Sequence, residues 1–97
     1  MVVLALVAKL HCEASQSLKQ KRGLIKPIIE GTRQRFSVSV AEVAGQDTWQ
    51  RCDIGVAIVS GTARVAEQLA DDVERFIWSF PDVTVLGIDR QWMELDD

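Results

Sequence analysis

A chain of 97 residues, 47% hydrophobic and 26% charged, suits a single domain over 1–97 with a modest core. Two cysteines, Cys12 and Cys52, with the lone His11, are too few and too dispersed for a zinc knuckle or a disulfide framework. No metal or cofactor is therefore expected, and a reducing, cytoplasmic setting is. The net charge of −3 conceals an asymmetry, because residues 1–40 hold seven basic and two acidic side chains whereas residues 41–97 hold four and twelve.

In chain order, Val2 to Ala8 gives only seven apolar residues before Lys9, far short of the ~20 that span a bilayer. It lacks a basic flank and a cleavage site, so it reads as a strand and no membrane partner is expected. Residues 2–12 place Val2, Leu4, Leu6, Ala8, Leu10 and Cys12 on one face and Val3, Ala5, Val7, Lys9 and His11 on the other. Ser17 followed by Gln20 has the form of a capping box. It opens a helix whose stripe is Leu18, Leu24, Ile25, Ile28 and Ile29, with a kink expected near residues 23–27 because Pro27 removes a backbone donor.

Phe36, Val38 and Val40 alternate with Ser37, Ser39 and Ala41, and Ile54, Val56 and Ile58 alternate with Gly55, Ala57 and Val59. Gly45, Gln46 and Asp47 break the run between them, so residues 36–60 read as a hairpin. Ser60, Gly61 and Thr62 then start a second helix carrying Ala66, Leu69, Val73, Phe76, Ile77 and Phe80 at helical spacing. Phe80-Pro81-Asp82 ends it, and Val83 to Ile88 forms a last strand that continues toward Trp92.

The order βαββαβ predicts an α+β, ferredoxin-like sandwich: a four-stranded antiparallel sheet ordered 4-1-3-2 with both helices on one face. This topology brings the end of the first strand, the start of the first helix, the hairpin turn and the end of the second helix to one pole. Lys19, Lys21, Arg22, Trp49, Arg51 and Trp78 are expected to meet there. Cys12 and Cys52 become near neighbours facing the helices, as free thiols packed like small hydrophobes.

Lys19, Lys21 and Arg22 crowd a helix start whose macrodipole disfavours cations by roughly 0.3–1 kcal/mol each. Either they form an anion site with the free backbone N–H groups, or they are a solvated basic face. Trp49 either stacks on a base or a partner, or folds back on the domain; Trp78 should be partly exposed. His11 and Glu42 stand isolated and read as structural.

Sharper chemistries fall away. The central strands carry no aromatic residue for base stacking, and there is no GxxG and no GxxxxGK. An acylphosphatase of this fold needs an arginine in the first strand-helix loop and an asparagine; residues 13–16 hold no arginine and the chain no asparagine. Nothing assembles a nucleophilic triad, so the protein reads as a binding protein and not an enzyme.

The motifs Ser17-Leu18-Lys19-Gln20-Lys21-Arg22 and Arg35-Phe36-Ser37-Val38-Ser39-Val40-Ala41-Glu42-Val43, followed by Gln46-Asp47 and Trp49-Gln50-Arg51, resemble the YlxP-like family of small bacterial proteins over nearly the whole chain. The resemblance implies a ferredoxin-like fold. It also implies a link to translation, since genes of that family commonly neighbour those for initiation and ribosome-binding factors. It carries over no catalytic residue. Pro27 and Trp78 depart from the family pattern.

The leading expectation is an RNA- or ribosome-associated accessory protein, with Lys19, Lys21, Arg22, Lys26 and Arg51 on phosphate and Trp49 on a base or protein surface. The alternative is a protein-interaction or homo-oligomerisation module acting through the open sheet face, where Val3, Ala5, Val7, Ala57 and Val59 are all small or apolar. The chain's own tail around Trp92 and Met93 is the competing cover for that face.

Overall fold

The first strand, β1 (Val2–His11), forms where apolar residues alternate: Val2, Leu4, Leu6, Ala8 and Leu10 are buried, while Val3, Ala5 and Val7 are half-buried on the opposite face. The computed structural model describes residues 1–46 and 48–96, so Asp47 of the expected turn lies outside the described residues. Helix α1 (Leu18–Phe36) begins at the expected cap. The Ser17 hydroxyl accepts the Gln20 N–H at 3.1 Å, and the Gln20 side chain accepts the Gln16 N–H at 2.7 Å, so two orphan amides are satisfied. The helix is unbroken through Pro27, which lies on its exposed side, where the carbonyl deprived of a donor is open to water.

Phe36 was expected to open the second strand, but it is the last residue of α1. Two periods compete at this position: Phe36 alternates with Val38 and Val40, yet it also extends the helical row Ile25, Ile28, Ile29 and Thr32. The helical row prevails because the Phe36 ring packs edge-on against Phe76 at 5.7 Å. Ser37 then reverses the chain in the left-handed region (φ 53°, ψ 46°), its N–H donating to the Arg33 carbonyl.

Strands β2 (Ser39–Ala44) and β3 (Arg51–Ser60) form the hairpin, and helix α2 (Ala63–Trp78) follows, capped by the Thr62 hydroxyl accepting the Val65 N–H. Strand β4 (Thr84–Glu94) completes the chain and runs past Ile88 through Trp92, as expected. The sheet order is β2-β3-β1-β4 with every neighbouring pair antiparallel, the ferredoxin-like arrangement. Leu4 pairs with Ile58, Leu6 with Val56 and Ala8 with Ile54, so one sheet face supplies a continuous apolar layer to the helices. From α1 come Ile25 and Ile28; from α2 come Ala66, Ala70, Val73 and Ile77.

The helices meet at Gly31, where a Cβ would come within 2.8 Å of the Phe76 ring. The last turns of α2 therefore lie beside the C-terminal half of α1, far along the helix from Lys19. Trp78, exposed on α2, is consequently not gathered with the residues at the start of α1, contrary to the expectation from topology. The segment from Ser79 to Val83 covers the remaining distance to β4, with Phe80 edge-on to Phe76 at 5.2 Å.

Candidate nucleic-acid interface

The other elements expected at one pole do converge. The Cys12 N–H donates to the Gln50 carbonyl at 2.8 Å, and the Gln50 side chain reaches the Ser15 carbonyl at 3.5 Å, which ties the end of β1 to the hairpin loop. Lys21 closes the arrangement from α1. Its ammonium donates to the Glu42 carboxylate at 3.1 Å, the Gly45 carbonyl at 2.6 Å and the Arg51 carbonyl at 3.3 Å. These three acceptors match its three N–H donors.

Lys21 is thus not a phosphate contact: only 1% of it is exposed, and its hydrogen bonds are all directed inward. The reason is helical geometry. At 100° per residue, Lys21 falls in the same row as Ile25, Ile28 and Thr32, the buried face of α1, and about 160° from Lys19. Glu42 is not isolated either; it lies opposite Ile54 in register and so faces the helices, where it meets Lys21. Gly45 supplies its carbonyl from a left-handed conformation (φ 84°) in which a Cβ would sit 2.8 Å from the Arg51 carbonyl oxygen.

Cys12 and Cys52 border this buried pair, and both are free and buried. Burial pushes the Cys52 thiol up, reinforced by a hydrogen bond to Glu42 and by its charge, with Lys21 partly opposing. Burial also raises Cys12, again opposed by Lys21. Protonated, enclosed thiols are poor nucleophiles and pack here as small hydrophobes beside the Lys21–Glu42 pair. Among the described residues no group of three or more His, Cys, Asp or Glu is placed to hold a metal ion.

The remaining cations form the exposed site. Lys19, Arg22, Lys26 and Arg33 are all exposed and, by helix periodicity, fall within an arc of about 60° on α1. Arg22, Lys26 and Arg33 line a shallow groove of about 280 Å³ together with Ile25, Ile29, Glu30 and Glu42. Glu42 already serves Lys21, and Lys26 stands 4.0 Å from Glu30, the limit of an ion pair. Arg33 also donates to the Val40 carbonyl at 2.7 Å, which fixes the far end of the groove against the edge strand β2. Arg33 belongs to the basic run between Lys19 and Arg35 but not to the phosphate contacts expected from sequence, although its spacing of seven from Lys26 places it in the same row.

Arg51 lies at the hairpin end of β3, 3.8 Å from Asp53, and Trp49 is half exposed in the hairpin loop beside it. The Arg51 carbonyl meets Lys21 of α1, but strand parity turns the Arg51 side chain, with Asp53, to the open face of the sheet and away from the basic row of α1, contrary to its expected place among the phosphate contacts. No acid occupies the first turn of α1, and among the described residues Lys19 forms no ion pair.

The opposite face of the sheet is apolar along the middle strands from Val3 to Val7 and polar toward the hairpin end, where Lys9, Asp53 and Asp89 lie. Val3 pairs with Val59 and Ala5 with Ala57, as the alternation predicts, and Val7 pairs with Gly55. Ala5, Val7, Ala41, Val43, Gly55 and Ala57 line a depression of about 380 Å³. The tail does not fold across it: β4 stays in the sheet, Trp92 opposite Leu4 on the helix side and Met93 opposite Val3 on the open side. Val59 is 65% exposed.

The fold is that of a small α+β domain of ferredoxin-like topology. The chain belongs to the family described as "Protein of unknown function (DUF503)", whose profile matches residues 3–90. It is 42% identical over 76 residues to a protein of Bacillus subtilis (strain 168) named "Uncharacterized protein YlxP", an alignment covering 78% of this chain and 83% of the relative. Among solved structures it is similar to the de novo designed protein Foldit4, at TM-score 0.59 and 17% identity over 99% of this chain and 100% of the other. It is also similar to a de novo designed protein with ferredoxin fold, LFR1 1, at TM-score 0.54 and 11% identity over 98% and 88%. At such identities the designs report the fold alone. No helix among the described residues is long and apolar enough to cross a membrane.

Proposed function

We propose that this protein is a non-enzymatic, cytoplasmic RNA-binding accessory protein that acts on the ribosome or its RNA through the basic face of α1. The observation that carries the reading is the row Lys19, Arg22, Lys26 and Arg33, exposed on one arc of the helix with Glu30 as the one acid in that row. Four cations spaced along a helix face match the repeating charge of a phosphate backbone, which supplies affinity without reading sequence. Trp49 in the hairpin loop offers a half-exposed ring on which an unpaired base can stack.

Titration of fluorescent ribosomal RNA fragments against the protein tests this. Four phosphate contacts predict that log K falls with log salt with a slope of about −3. Reversal of Arg22 and Lys26 together to glutamate should lower affinity by about 10- to 100-fold and flatten that slope. Absence of binding at 50 mM salt, or binding indifferent to both salt and the reversal, refutes the reading.

A further inference from the structure

We infer that two copies of this chain pack face to face through the open side of the sheet, around a two-fold axis that crosses the strands near the Ala5–Ala57 pair. This surface is separate from the basic face of α1, so the inference stands or falls independently of RNA binding.

The first argument is what the face lacks. Side chains on the solvent side of an antiparallel sheet are normally polar in alternation, yet the two central strands present only Val3, Ala5, Val7, Ala57 and Val59 over this stretch, with the polar Ser39 and Gln91 confined to the flanking strands at the Ala5–Ala57 level. No aromatic residue of the described strands faces this side, since Trp92 lies opposite Leu4 and so on the helix side; stacked bases are poor occupants. The described tail is held within the sheet by β4 and does not cover it.

The second argument is shape. The face carries a ridge at one end, where Val59, Val3 and Met93 lie side by side, and a hollow further along, around Val7, Gly55 and Ala41. Val59 and Gly55 are four residues apart on β3, with Ala57 midway. A two-fold axis at Ala57, lying between the sheets and across the strands, exchanges those two levels. The Val59 ridge of each copy is then set against the depression that Val43 borders over Gly55 of the other, and alanines at the axis permit close approach. Only one self-complementary surface is needed, as an isologous dimer requires.

Charge and area agree with the arrangement. The polar end of the face is internally paired, Lys9 with Asp89 at 3.3 Å and Arg51 with Asp53 at 3.8 Å, so two copies bring no net charge together. Strands of ten, six, ten and eleven residues, about 4.8 Å apart, give a sheet face of roughly 600 Å² per copy. Complete overlap would bury at most about 1,200 Å², the lower end of specific interfaces, and the axis near Ala5 and Ala57 leaves the hairpin ends outside it, which fits a weak dimer that forms in the upper micromolar range.

Sedimentation equilibrium from 1 to about 200 µM decides it. The wild type should approach twice the 10.8 kDa chain mass. Val59→Asp and, separately, Val43→Lys should each weaken dimerisation at least 100-fold while leaving the circular dichroism unchanged, since both side chains are more than half exposed. Val65→Asp, exposed on α2, should leave the dimer intact. Should Val59→Asp fail to fold, Val43→Lys carries the test alone. A wild type of 10.8 kDa at the highest concentration, or a dimer that survives the folded variants, overturns the inference.

Discussion

Helices α1 and α2 lie on the same face of one sheet and are capped by the same device, a hydroxyl at the N-cap, yet they solve different problems. The buried row of α2 is Ala66, Ala70, Val73 and Ile77, wholly apolar, and three of its four acids are answered: Arg90 reaches Asp71 at 2.7 Å and Glu74 at 2.6 Å, and Arg75 reaches Asp72 at 3.0 Å. The buried row of α1 contains Lys21 and Thr32, while its outer row of cations is left largely unanswered. The difference separates a helix that completes a core from one that also pins a loop and presents charge. Polarity inside α1 fixes the hairpin against it; polarity outside it is available to a partner.

The largest effect should come from removing the internal charge of α1. Lys21→Ala deprives Glu42 and two carbonyls of their donor, and breaking a buried pair from one side costs about 3–5 kcal/mol. Glu42 retains some solvent, so about 3 kcal/mol is expected in urea unfolding. A loss no larger than that of Lys19→Ala, which should leave the urea midpoint unchanged, would show that the contrast between inner and outer lysines is empty. Reversing Lys21 is for the same reason a test of folding and not of binding.

The thiols next to Lys21 sharpen the comparison through pH. Both have folded-state pKa values raised above the ordinary 9.0, so their contribution to stability is fully present below about pH 9 and is lost as pH rises through the raised values. Above pH 9 the unfolded chain releases these protons while the native state keeps them. Each thiol should therefore steepen the decline by up to about 1.4 kcal/mol per pH unit. Urea unfolding of Cys12→Ala/Cys52→Ala between pH 8 and 10 should give a flatter profile than the wild type; parallel profiles would contradict the enclosed, protonated state.

A smaller change of opposite sign is expected at Thr32, whose buried hydroxyl has no hydrogen-bond partner among the described residues. Thr32→Val keeps the shape and removes that unsatisfied group, which should stabilise the protein by about 1 kcal/mol. Thermal melts suffice: a lower Tm would mean that the hydroxyl is satisfied after all. No position in the buried row of α2 offers a comparable gain, because that row is already apolar.

Most of the architecture was legible in the chain. Alternation over residues 2–12 and 54–59 reports burial of one strand face, and Ser17 with Gln20 reports a helix start, because each depends on groups only a few residues apart. The boundary at Phe36 was misread because one aromatic residue satisfied a period of two and a period of 3.6 at once; only the ring of Phe76, distant in sequence, decided between them. The open sheet face was also legible, since Val3, Ala5, Val7, Ala57 and Val59 needed only strand order and parity to be placed side by side.

The site divided along the same line. Sequence by itself determined that a basic excess sits on the first helix and that an apolar face is left on the sheet, because net charge and periodicity are properties of short stretches. Which cations are free was decided by the tertiary structure. The row of Lys21 with Ile25, Ile28 and Thr32 was there to be read, but an ammonium enters a core only where acceptors already wait, and those of Lys21 come from Glu42, Gly45 and Arg51, between 21 and 30 residues further along the chain. No local spacing announces such acceptors, since they are brought within 3.3 Å by the closing of a sheet and not by any helix or turn of their own.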